Sequence, residues 1–115
     1  MDKAKSFQLQ SIAAEVGHPL AMFNVGTALL TGEGVETDPE KAAVWLRKAH
    51  EKGMPHATLN LTKMYMEGYG VPQDFQEAKK ICSVLATKDV FAKELLEEIE
   101  NEIKRSTFVV KKSEN

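Results

Sequence analysis

The sequence predicts an all-α solenoid, a stack of antiparallel helix pairs. Three observations carry this. The first is a period. Residues 17–52 lie over residues 53–88 without a gap, and ten of the 36 positions are identical: Gly17/Gly53, Pro19/Pro55, Ala21/Ala57, Asn24/Asn60, Gly32/Gly68, Gly34/Gly70, Val35/Val71, Asp38/Asp74, Ala42/Ala78 and Lys52/Lys88. The second is helical apolar spacing in both halves of each unit. The third is a Gly-x-Gly turn followed by aspartate between those halves. A repeat of this length marks helical hairpins that bury their apolar faces against neighbouring hairpins.

In the first full repeat, 17–52, helix A is expected from Pro19 to Thr31. Ala21, Val25, Ala28 and Leu29 follow i, i+4, i+7, i+8 and define one face. Pro19 suits the first helical turn, where its missing N–H costs nothing. Gly32 and Gly34 stop the helix, because glycine accepts the left-handed backbone that turns the chain back. Asp38 then serves as N-cap and Pro39 opens helix B, with Ala42, Trp45, Leu46 and Ala49 as its stripe.

The second full repeat, 53–88, follows the same logic. Helix A is expected from Pro55 to Glu67 with Ala57, Leu61, Met64 and Tyr65 inward. Gly68 and Gly70 turn the chain, and Asp74 with Glu77 makes a capping-box-like start for helix B. Ala78, Ile81, Cys82 and Leu85 form its stripe.

The flanks read as incomplete units within one domain, 1–105. Asp2 stands 36 residues before Asp38, so 1–16 is a partial repeat, a helix B without its helix A, with apolar Leu9, Ile12, Ala13 and Val16. Residues 89–105 are a capping helix with Phe91, Leu95, Leu96, Ile99 and Ile103 inward. Glu94, Glu97, Glu98, Glu100 and Glu102 form its solvated outer face, which ends the stacking. Residues 106–115 are expected to be a flexible tail, with Phe108, Val109 and Val110 available for docking.

The chain has 115 residues, 43% hydrophobic and 28% charged, with a net charge of −2. This is ordinary globular composition and gives no electrostatic basis for binding nucleic acid or an anionic membrane. No stretch approaches the ~20 apolar residues of a membrane span, and residues 1–12 lack the apolar run of a signal peptide. With one cysteine, Cys82, no internal disulfide forms. A cytoplasmic, soluble protein is the expectation.

The string Ala21-Met22-Phe23-Asn24-Val25-Gly26, then Gly32-Glu33-Gly34-Val35, Asp38, Lys41-Ala42, Trp45, Lys48-Ala49 and Gly53, resembles the Sel1-like repeat, a cousin of the tetratricopeptide repeat. The second copy matches at Ala57, Asn60, Leu61, Tyr65, Gly68, Gly70, Val71, Asp74 and Ala78. It departs at Thr62, Ile81 and Asp89, where the family pattern has glycine, tryptophan and glycine. The resemblance implies a right-handed superhelix, adaptor or regulatory work on protein partners, and no catalytic residues.

The chemistry-bearing residues give no competing reading. His18, His50 and His56 sit at unrelated repeat positions and lack a His or Cys at i+3 or i+4, so no metal site is expected. Cys82 holds a core position without a local base, so it is not expected to be a nucleophile. The Gly-x-Gly pairs follow helices and lack the P-loop lysine, so they are turns and no cofactor is expected.

What remains is the second stripe of each helix A: Phe23, Asn24, Thr27 and Leu30, with their equivalents Leu59, Asn60, Lys63 and Met66. In related solenoids helix A lines the concave surface, so these eight are the candidate partner-binding residues. Asn24 and Asn60 are weak helix formers whose amides suit an extended peptide backbone, or equally a neighbouring repeat. The apolar members serve either a partner or the packing between helices. The expected partner is a protein or peptide. The alternative is a self-assembling or inhibitory module that docks through open solenoid ends, including as a homodimer through Leu9 or Ile12.

Overall fold

The computed structural model describes residues 2–114, with side chains described for 2–107. Its six helices are α1 (Lys3–Glu15), α2 (Pro19–Thr31), α3 (Pro39–Glu51), α4 (Pro55–Glu67), α5 (Phe75–Ala86) and α6 (Val90–Glu114). No strand occurs among the described residues. Each helix packs on the next in sequence, and the stack measures 58 × 30 × 21 Å. Helices α2 and α4 are the A helices, with the bounds expected from Pro19, Pro55 and the glycine stops. The αL caps are Gly32 (φ 79°) and Gly68 (φ 70°). Asp38 and Asp74 cap α3 and α5, each accepting from the backbone N–H three residues on.

The turns are built identically. Asp38 N–H donates to the Leu29 carbonyl and Asp74 N–H to the Tyr65 carbonyl, both at 2.8 Å. Gly34 and Gly70 do more than turn. A Cβ on Gly34 would collide with the Lys3 carbonyl, and one on Gly70 with the Pro39 carbonyl. Each turn therefore rests on the first residue of the preceding helix B. Since Lys3 stands where Pro39 does, α1 occupies the helix B place of a preceding unit.

The core runs through the stack. Val25, Leu29, Ala42, Leu46, Ala49, Ala57, Leu61 and Met64 are buried in one cluster. Ala78, Cys82, Leu85, Ala92 and Ile99 form the second, joined to it through Tyr65. Trp45 is only half-buried against the core, with Lys48 Nζ 4.6 Å from its ring centre.

Two expectations about the helices change. Helix α6 does not end at 105 but continues to Glu114, since no glycine or proline interrupts Ile103–Glu114. The docking role expected for Phe108, Val109 and Val110 falls outside the described side chains. Phe91 does not point inward: it is 72% exposed, and Ala92 is buried in its place. α5 is one residue shorter than α3, so α6 begins one residue early and Ala92, not Lys93, follows Ala21 and Ala57. On α1, Phe7, Ala13 and Ala14 pack on the core, while the apolar Leu9, Ile12 and Val16 stay in solvent.

Candidate functional site

Repeat arithmetic places Phe23 with Leu59, Asn24 with Asn60, Thr27 with Lys63, and Leu30 with Met66, on the same side of α2 and α4. The two helices meet there through Phe23 and His56, whose ring centres are 6.1 Å apart. The candidates open into depressions at either end of this contact.

The first depression lies between α1 and α2 and has a volume of about 400 Å³. Phe23, Asn24 and Thr27 line it with Lys3, Ser6, Phe7 and Gln10 from α1, and with Ala28 and Glu33. Asn24 Nδ2 donates to Gln10 Oε1 at 3.3 Å. One Asn24 bond thus goes to the neighbouring unit, while its carbonyl and the Gln10 amide nitrogen remain for a ligand. Thr27 Oγ1 is buried without a hydrogen-bond partner among the described residues. An orphan hydroxyl of this kind costs about 1–3 kcal/mol.

The second region lies between α4 and α6. Leu59 and Lys63 face Phe91, Glu94, Leu95 and Glu98 across a hollow of about 440 Å³. Lys63 and Met66 continue it toward Glu67, Phe75, Leu95, Glu98 and Glu102. Glu94, Glu98 and Glu102 are therefore groove-lining rather than part of an outer face. Leu30 and Asn60 line neither region. Leu30 packs on the core, and both are partly buried.

Sequence reasoning missed the α1 wall of the first depression, because the gapless repeat begins at residue 17. The spacing of Asp2 to Asp38 was the available signal, since it places α1 beside α2.

His50 and Cys82 hold positions in the packing rather than in the depressions. His50 Nδ1 lies 2.6 Å from Thr58 Oγ1, which itself donates to the Met54 carbonyl, so the Nδ1–H is the donor. Burial pushes the His50 pKa below its ordinary value, Arg47 lowers it further, and Glu51 opposes. Cys82 is fully buried, and its Sγ–H donates to the Ala92 carbonyl at 3.2 Å. Burial raises the thiol pKa above its usual value, with a Thr62 hydrogen bond opposing and Asp89 adding. A thiol held protonated this way is a poor nucleophile. Among the described residues no three His, Cys, Asp or Glu side chains group as a metal site. No helix there is long and apolar enough to cross a membrane.

The Sel1 repeat model matches residues 19–54 and 55–82. A chitin synthase regulatory factor 3 from Schizosaccharomyces pombe is 37% identical over 67 residues, covering 58% of this chain and 7% of that protein. A solved protective antigen of uropathogenic Escherichia coli, described as displaying an SLR fold, superposes with a TM-score of 0.83 at 34% identity. That match covers 89% of this chain and 23% of the other. A Sel1 repeat protein from Oxalobacter formigenes superposes with a TM-score of 0.73 at 29% identity, covering 77% and 37%. The chain thus spans well under half the length of each. Proteins built from these repeats generally mediate protein–protein interaction and are generally of a non-catalytic scaffold type. With the helix pairs, the turn glycines and the matched stretches in agreement, the chain belongs to the Sel1 repeat family.

Proposed function

We propose that the chain is a non-enzymatic adaptor that binds an extended segment of a partner protein along the shared face of α2 and α4. The observation that carries this is the pairing of repeat-equivalent residues at open depressions. Phe23 and Thr27 line one, and Leu59 and Lys63 line the next, with the Phe23–His56 contact between. Phe7, Phe23, Leu59 and Leu95 supply apolar anchors. Asn24 and Gln10 supply amide groups for a peptide backbone.

The Schizosaccharomyces pombe relative is named a regulatory factor. By analogy this chain acts by holding or positioning a partner rather than by turnover. A buried thiol without a base beside it supports the same reading.

The test is affinity capture from the source lysate by the wild type and by Asn24→Ala/Lys63→Glu, followed by direct titration of the captured protein. The expected result is loss of binding in the variant with helical content unchanged. Equal affinity for both forms would remove the groove from this face.

A further inference from the structure

We propose that the exposed face of α1 is a self-docking surface, on which two copies of this chain pack α1 against α1 antiparallel about a twofold axis. This stands independently of the groove. Helix α1 is apolar on two opposite sides. Phe7 and Ala14 face the core, whereas Leu9, Ile12 and Val16 are 61%, 64% and 82% exposed. With Lys5 they run i, i+4, i+7, i+11, one straight stripe. A surface helix with one apolar face needs only one neighbour, and α1 has the residues for two.

The charges on α1 select the occupant. Its first turn carries Lys3 and Lys5 and no acid, and its last turn ends on Glu15 with no base. The N-cap Asp2 accepts from the Ala4 and Lys5 N–H groups and complements the positive end of the helix, whereas Glu15 leaves the negative end without a base. An antiparallel copy brings a base to that end. With the twofold between Leu9 and Ile12, Leu9 meets Ile12 of the second copy, and Lys5 lies beside its Glu15 and Val16. Each lysine then also approaches the negative end of the opposing helix. Parallel pairing would set lysine against lysine.

Head-to-tail stacking fits less well. Outside the groove, the exposed surface of α6 carries Lys93, Glu97 and Lys104, and its exposed large apolar residues, Val90 and Phe91, sit at its start. The α1 aliphatics would meet charge there. The isologous contact is small, so the dimer is weak and in rapid exchange with monomer.

The experiment is light scattering with sedimentation equilibrium on the full chain, up to about 1 mM. The expected result is a concentration-dependent rise to twice the chain mass and no further. Leu9→Asp/Ile12→Asp should stay monomeric with unchanged helicity. Lys5→Glu and Glu15→Lys should each weaken association roughly three- to tenfold, since each reversal acts twice per dimer. The double reversal should restore it. A monomer throughout, growth beyond a dimer, or association that ignores either set of substitutions would overturn the proposal.

Discussion

A Cβ placed on Gly26 would lie 2.8 Å from Cγ and 3.0 Å from Cδ2 of Leu46. Helix α2 approaches α3 this closely because residue 26 has no side chain. One repeat on, the pair is Thr62 and Cys82, both fully buried, so bulk has moved from the B helix to the A helix. Thr62 Oγ1 donates to the Thr58 carbonyl at 2.7 Å, which makes its hydroxyl tolerable there.

This exchange predicts coupling between positions 26 and 46. Gly26→Thr overpacks the interface and should cost about 3 kcal/mol, and Leu46→Cys leaves a void costing about 2–3 kcal/mol. The pair reproduces the second repeat and should recover at least about 1 kcal/mol relative to the sum. Denaturant unfolding of the four forms measures this. Strict additivity would mean the two units do not share one packing solution.

Turn substitutions should rank by what lies above them. Gly70 and Gly53 both have positive φ, but only Gly70 faces backbone, at Pro39, while nothing lies within 4 Å of Gly53. Gly53→Ala should cost about 1–2 kcal/mol, the left-handed penalty alone. Gly70→Ala should cost more than that, because α3 must also move. Equal losses in melting experiments would show that the turn does not rest on the neighbouring helix.

Much of this architecture was legible beforehand. Pro19 and Pro55, with Gly32 and Gly68, fix both ends of α2 and α4, because each residue has one strong backbone preference. The end of α6 was not legible, since the segment after Ile103 contains no residue that stops a helix. Phe91 was misplaced because the shortening of α5 changes the register by one residue without altering the amphipathic pattern. The candidate face could be drawn from repeat positions. The contributions of Phe7, Gln10 and Glu98 come from tertiary packing that periodicity does not encode.

His50 should make stability fall in mild acid. Its native pKa is depressed, chiefly by burial. Protonation therefore favours the unfolded chain. The His50 contribution is complete above the ordinary imidazole value and is lost as pH falls through it toward the native one. Between about pH 7 and pH 5 the urea midpoint of His50→Gln should fall less than that of the wild type. Parallel curves would assign the acid sensitivity to other groups.

Cys82 should resist thiol reagents until the chain opens. Its thiol is fully buried and bonded to Ala92. Labelling by a disulfide reagent should be slow in buffer and immediate in denaturant, and Cys82→Ala should cost about 1 kcal/mol. Fast labelling of the folded chain would mean that α6 detaches readily from α5.

The most direct test of the groove is to place a photo-crosslinking amino acid at single positions and illuminate with the captured partner present. Gln10 and Lys63 lie in the depressions, whereas Glu40 and Lys79 are exposed on the B helices α3 and α5. The adaptor reading predicts adducts from positions 10 and 63 and none from 40 or 79. Adducts from 40 and 79 alone would contradict it and place the partner on the opposite side of the solenoid.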